Sequence, residues 1–195
     1  MTAQINDTVF HRKIDFALAG ISGSGLFDPA TLGFKPASSS SACWRGHVAH
    51  YTILDGGLFL TSLEIGIPHD AAIRGGSAHD PELFGVPPKS DETSELFYEG
   101  FRHPIAFTGG LLLADGFIRS LYVHMGFHPA WKYEDVREVR LEAGRVTADT
   151  DRSAEMAAVR AKYVADKMGA GRDPDQPSGD DEIEAWIEKC FHRDY

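Results

Sequence analysis

Between two runs of β-branched, aromatic and leucine residues, in the stretch Ala42 to Gly66 (ACWRGHVAHYTILDGGLFLTSLEIG), stands the triplet Asp55-Gly56-Gly57. A two-residue reversal needs positive φ at its centre, which glycine adopts without penalty, so the triplet predicts a β-hairpin. In the returning strand Phe59, Thr61, Leu63 and Ile65 alternate with Leu58, Leu60, Ser62 and Glu64, and neither set is wholly polar. A sheet that is apolar on both faces has to be covered on both sides or curl into a barrel. In the outgoing strand Arg45, His47, Ala49, Tyr51 and Ile53 share one face, and Trp44, Gly46, Val48, His50, Thr52 and Leu54 the other, which sends His47 and His50 to opposite sides.

The remainder of the chain reads around that hairpin. Its 195 residues, 43% apolar and 25% charged, suit one globular domain, 1-195, large enough for a core without staples. A β-rich body spans 1-150 and a helical segment 151-195, with a Gly/Pro/Asp-rich linker at 169-180. Residues 1-12 are polar and read as an arm, and KIDFALA from Lys13 as a strand. GISGSG at 20-25 matches no phosphate-binding spacing and reads as a flexible loop. Residues 67-94 form an irregular connection, with short helical pieces expected at 80-84 and at 92-100, where Glu92, Glu95 and Glu99 make an acidic face. Strand signals resume at Ile105, with Asp115-Gly116 marking a second hairpin turn. A third hairpin runs from Tyr133 to Glu142, turns at Ala143-Gly144 and returns through Ala148. Charges on both faces of its first strand mark that strand as an edge. The tail then changes period: Asp151 caps a helix reaching Met168, and a second helix over 181-191 carries Ile183, Trp186, Ile187, Cys190 and Phe191 on one stripe. The expected fold is α+β, a curved and mostly antiparallel sheet or small β-barrel of hairpins with two C-terminal helices.

A net charge of −10 with scattered Lys and Arg disfavours nucleic acid and anionic membrane, and suits a basic partner. No apolar run reaches the length of a membrane helix, and the N-terminus lacks the basic-then-apolar order of a secretory signal, so a cytoplasmic location is expected. Cys43 and Cys190, far apart and without a CxxC neighbour, read as two buried thiols.

Arg45 is the charge of most interest, since a guanidinium on a sheet must meet a carboxylate or an anionic ligand. Glu64 on the neighbouring strand is the expected partner. His124 and His128, four apart, fall on one face of a strand with Ile118, Ser120 and Tyr122. They are the metal pair if a metal is bound, with His47, His50, Glu64 and His103 as further donors, but no metal signature is present and no cofactor is implied. A catalytic site, if the chain is an enzyme, would join His124 to Glu64, and a ligand pocket would be lined by Arg45, Tyr51, Tyr122 and His124. Nucleophilic catalysis has little support, because GISGSG lacks the spacing of a nucleophile elbow.

Two segments carry a resemblance. Trp44, Arg45, Gly46, Ala49, Ile53, Asp55, Leu58 and Leu60 fit W-R-G-[Y]-x-A-x-[W]-x-I-x-D-x-x-L-x-L, and Tyr122, Val123, His124, Met125 and Gly126 fit Y-V-H-M-G-[YF]. The chain thus resembles a group of small bacterial proteins of unknown function, departing where His47 replaces an aromatic and Tyr51 a tryptophan. The resemblance implies a shared fold and no activity. Two function classes lead. The first is a non-catalytic acidic interaction protein acting on a protein partner, with Trp186, Ile187 and Phe191 as the docking stripe. The second is a small-molecule-binding barrel or small enzyme with a His/Arg/Glu-lined pocket, with or without a metal. They differ in whether Arg45, His124 and Glu64 converge on a concave space or are engaged elsewhere.

Overall fold

The structure, a computed structural model, describes residues 2-68, 81-90 and 95-170. Among these residues nine strands and one α-helix follow in order: β1 (Thr8–His11), β2 (Ile14–Ser24), β3 (His47–Leu54), β4 (Gly57–Gly66), β5 (Lys89–Ser90), β6 (Glu95–Pro104), β7 (Thr108–Phe117), β8 (Tyr133–Glu142), β9 (Arg145–Asp151) and α1 (Ser153–Ala170). Neighbouring strands run β3-β1-β2-β7-β8-β9-β4, and β4 pairs back onto β3, so the sheet closes into a barrel-like ring. β6 and β5 extend from the other edge of β4. All pairings are antiparallel except that of β1 with β3. The α+β architecture expected from the sequence is the one observed.

The ring is turned by tight reversals of one kind. Asp55 (φ 50°) and Gly56 (φ 72°) join Leu54 to Gly57, and Ala143 (φ 46°) and Gly144 (φ 80°) join Glu142 to Arg145. Both central residues are left-handed, the arrangement whose twist matches that of the flanking strands. A third such turn, Arg12 (φ 50°) and Lys13 (φ 69°), joins His11 to Ile14 with no glycine to mark it in the sequence. Residues 8-11 are therefore a barrel strand rather than an arm.

Four further expectations are corrected. GISGSG is not a loop: Gly20 to Ser24 complete β2 and pair with β7. Its glycines serve close approach, for Gly23 (φ 132°) lies against Gly109 (φ 146°), and a Cβ on either would run into the other strand's backbone. Asp115-Gly116 is no turn, since both lie inside β7 and the connection to β8 comes later, at 118-132. Residues 95-100, expected to be helical, belong to β6, where Leu96 and Tyr98 alternate into the core, and at 81-86 Leu83 and Val86 bridge in a tight turn. β8 is not an edge but lies between β7 and β9, with Arg137 paired across to Asp149 of β9 and Glu138 paired to Arg140 along the same strand. The helix from Ser153 runs to Ala170, two residues beyond the expected Met168. The second expected helix lies outside the described residues, as do Trp186, Ile187, Cys190 and Phe191.

One bulge explains the doubly apolar β4. The β3–β4 register slips opposite Thr61, so Leu58 and Leu60 before it and Leu63 and Ile65 after it all turn inward. The Thr61 hydroxyl donates to the His50 carbonyl at 3.1 Å, fixing the extra residue. Two apolar layers result. One fills the ring, with Leu18, Leu60, Leu63, Leu111, Leu113 and Phe107 at zero exposure. The other lies outside it, where Ala19, Leu112, Ala114, Tyr133 and Val136 meet Ala130 and Met156 of α1. Trp131 stacks against Tyr163 at 4.4 Å, and the Arg160 guanidinium donates to the carbonyls of Trp131 and Tyr133, which holds α1 on β8. No helix among the described residues is long and apolar enough to cross a membrane.

Candidate functional site

Arg45 sits in the turn before β3, and its partner is Asp7 rather than Glu64. Its two terminal nitrogens donate to the Asp7 carboxylate at 2.8 and 3.1 Å, Nε donates to the His47 carbonyl at 2.6 Å, and one terminal nitrogen also reaches the Ile5 carbonyl at 3.1 Å. The same carboxylate accepts from the Ala49 amide at 2.7 Å. Asp7 is just upstream of β1, so the pair bolts the N-terminal segment to the entry of the central hairpin. A two-toothed guanidinium–carboxylate contact, with a further backbone amide on the carboxylate, is the form in which a buried charge is tolerated. The Arg45 guanidinium also lies 5.4 Å from the centre of the Phe127 ring. Next to it, burial and then the Arg45 charge lower the pKa of His47, and burial raises that of the Cys43 thiol, whose sulfur donates to the His47 carbonyl.

Glu64 points to the outer face of the barrel and meets His50. Thr8, His50 and Glu64 stand on β1, β3 and β4, three adjacent strands, with Thr8 directly opposite His50. Thr8 Oγ1 lies 2.8 Å from His50 Nδ1, and His50 Nε2 lies 3.3 Å from Glu64 Oε1. A carboxylate only accepts, so Nε2 carries a proton, and in the neutral imidazole Nδ1 is then the acceptor of the threonine hydroxyl. The result is a hydroxyl–imidazole–carboxylate relay on an outer wall, its imidazole and carboxylate partly open to solvent.

His124 and His128 do not share a strand face. β7 ends at Phe117, and both histidines lie in the irregular 118-132 connection, which folds back over the barrel and bridges at Gly126 to Ala3. His124 makes an edge contact with the Tyr122 ring at 4.8 Å. His128 is 7% exposed and packed between Phe117 at 4.7 Å and Tyr122 at 5.1 Å, and neither ring nitrogen has a hydrogen-bond partner among the described residues. Burial, reinforced by the Lys132 charge, pulls its pKa from 6.5 to about 4, so the imidazole is neutral. No group of three or more His, Cys, Asp or Glu side chains among the described residues is placed to hold a metal ion. Tyr51 lies inside the apolar ring, on the opposite side of β3 from His50.

Glu64 and Tyr51 thus stand on opposite faces of the barrel wall, Arg45 is bound to Asp7, and His124 contacts the Tyr122 ring. Asp7 and Thr8 are the residues that sequence reading missed. The signal available was the short β-branched and aromatic run Thr8-Val9-Phe10, hidden by its polar flanks and by a turn without glycine. A further ion-pair cluster, also unforeseen, ties the β1–β2 turn to β9. Asp149 accepts from His11, Arg12 and Arg137 at 2.7 to 3.0 Å. Burial alone would raise the Asp149 pKa, but these bonds and charges hold it low. Glu138, on the same sheet, is held low against burial by Arg152 and Arg140.

The segments that meet around Arg45 also gather exposed apolar side chains. Gln4 donates its amide to the Gly126 carbonyl, Ile5 to that of Ala42, and the Trp44 amide donates to the Gln4 side chain, stitching 2-6, 42-45 and 122-127 together. On these segments Ile5 is 48%, Trp44 49% and Tyr122 43% exposed.

Comparison with protein-family models, with curated proteins and with solved structures finds no match to this chain.

Proposed function

We propose that this chain acts by binding another protein, in the cytoplasm, rather than by turning over a small molecule. The observation that carries the reading is that Ile5, Trp44 and Tyr122, three large side chains between 43% and 49% exposed, stand on segments that hydrogen bonds tie together. The segments that carry them are joined by backbone and Arg45–Asp7 hydrogen bonds, and exposed aromatic anchors on a hydrogen-bonded scaffold are the usual energetic centre of a protein interface. The placement of Glu64 outside the barrel, of Tyr51 in its core and of Arg45 against Asp7 argues in the same direction, because a ligand pocket needs convergent polar groups. With a net charge of −10, the partner that fits is a protein with a basic surface around an apolar patch.

Native mass spectrometry of the chain purified from its own host tests this, alongside the double variant Trp44→Ala/Tyr122→Ala and a chain ending at residue 179. Co-purification of a protein partner that the double variant loses is the expected result. A stoichiometric small molecule or metal, with no partner, would transfer the function to the pocket reading. Loss of the partner on truncation alone would move the docking site to the stripe of Trp186, Ile187 and Phe191.

A further inference from the structure

We propose that Thr8 is an acyl-acceptor site: its hydroxyl, activated by His50 and Glu64, takes an acyl group from an activated acyl donor such as an acyl phosphate or thioester. This goes beyond partner binding and does not rest on it. The argument is geometric. A threonine hydroxyl is a poor nucleophile until a base removes its proton in the transition state. Thr8 has such a base at 2.8 Å in His50 Nδ1, and the remote nitrogen of that imidazole is held by Glu64, which fixes the tautomer and stabilises the imidazolium that forms. Three elements fix the three groups independently, since β1, β3 and β4 are hydrogen-bonded neighbours in the ring. The site is approachable, because the His50 side chain is 30% and the Glu64 side chain 39% exposed.

The hydroxyls of Thr31 and Thr61 lack this arrangement. Thr31 donates to the Asp28 carbonyl at 2.7 Å and Thr61 to that of His50 at 3.1 Å, and a carbonyl cannot take the proton away. The side chains of Thr31 and Thr61 therefore serve as controls within the same molecule.

The step balances. Thr8 Oγ1 forms a bond to the carbonyl carbon of the donor while its proton passes to His50 Nδ1. The tetrahedral intermediate collapses, the bond from carbon to the leaving group breaks, and the leaving group departs with that bond's electron pair. His50 returns the proton to the leaving group or to water, leaving an ester on Thr8, with no oxidant or reductant involved.

Acetyl phosphate is the probe. The full chain is incubated with it at pH 8, quenched at intervals, and the acetyl positions are mapped by peptide mass spectrometry. The expected result is an acetyl ester on Thr8 that forms faster than any on Thr31 or Thr61. Thr8→Ser should retain the ester, Thr8→Val should remove it, and His50→Gln should slow it about a hundredfold or more, the usual worth of a positioned general base. Glu64→Gln should slow it by about tenfold, since imidazole orientation is weakened while the base remains. Thr8 acetylated no faster than Thr31 in the wild-type chain would overturn the proposal, as would a rate unchanged by His50→Gln. The wild-type mapping decides the matter even if a variant fails to fold.

Discussion

Lowering the pH should destabilise this protein through His128. The imidazole is caged by Phe117 and Tyr122, beside the Lys132 ammonium, and burial holds its pKa at about 4, well below its ordinary 6.5. A depressed histidine stabilises the fold where both states are neutral, and that stability is lost as the pH falls, because the unfolded chain takes up the proton first. The loss begins near pH 6.5, reaches about 2.5 kcal/mol at pH 4.5 and levels off at roughly 3 kcal/mol below pH 4, at 1.36 kcal/mol per unit. Against a typical total of about 5–15 kcal/mol this is a large share. Urea unfolding followed by tryptophan fluorescence at pH 7.5 and 4.5 measures it. Asp149 and Glu138 also lose stabilising contacts in acid, so the wild-type change alone is not diagnostic. The variant His128→Phe supplies the difference, since it keeps a ring between Phe117 and Tyr122 but cannot titrate. Its stability should fall between the two pH values by about 2.5 kcal/mol less than that of the wild type. Equal losses in the two proteins would refute the idea that a neutral, caged imidazole couples the 118-132 connection to the barrel.

Two other perturbations probe the same architecture. Asp7→Ala strands the Arg45 guanidinium and the Ala49 amide, and should cost about 3–5 kcal/mol in urea unfolding. The double change Asp7→Leu/Arg45→Met should cost less than Asp7→Ala alone, because no buried charge is left behind, and a larger cost for the double variant would contradict the pairing. Gly109→Ala places a Cβ against Ser22 and Gly23 of β2 at a φ of 146°, so thermal melting should show a loss of at least about 1–3 kcal/mol from backbone strain alone, whereas Gly56→Ala, where a Cβ meets open space, should cost only its turn strain.

How far the fold could be read from the chain follows from where its information is local. Asp55-Gly56 and Ala143-Gly144 announce their turns because positive φ at two successive residues selects for glycine or a short polar side chain, and both hairpins form where the pattern places them. Arg12 and Lys13 make the same turn with long side chains, so β1 stayed hidden and with it the parallel strand that completes the ring. In Gly20-Ile21-Ser22-Gly23 the glycines look like loop residues because the sequence records small size and not its cause. The cause is β7, nearly ninety positions away. The charged β8 misled for a related reason: Arg137 and Glu138 resemble edge protection until Asp149 and Arg152 are brought beside them.

The site was less legible than the fold, because each of its partnerships is long-range. Arg45 was correctly read as needing an anion, but the nearest carboxylate in the expected hairpin register, Glu64, lies on the outer face, while Arg45 turns back towards the N-terminal segment. The bulge at Thr61 separates them, for it sends Leu63 inward and Glu64 outward, beside His50 instead of Arg45. A single inserted residue therefore decides two pairings at once: it leaves Arg45 to Asp7, and it brings a carboxylate to the far nitrogen of an imidazole whose near nitrogen faces Thr8. With Thr61 paired in the ladder instead of bulged, strict alternation would send Ser62 and Glu64 inward in place of Leu63 and Ile65. Deleting Thr61 keeps Leu63 inward and Glu64 outward, so the Thr8 relay should survive that deletion, and in the intact strand the bulge alone sets the face on which Glu64 stands.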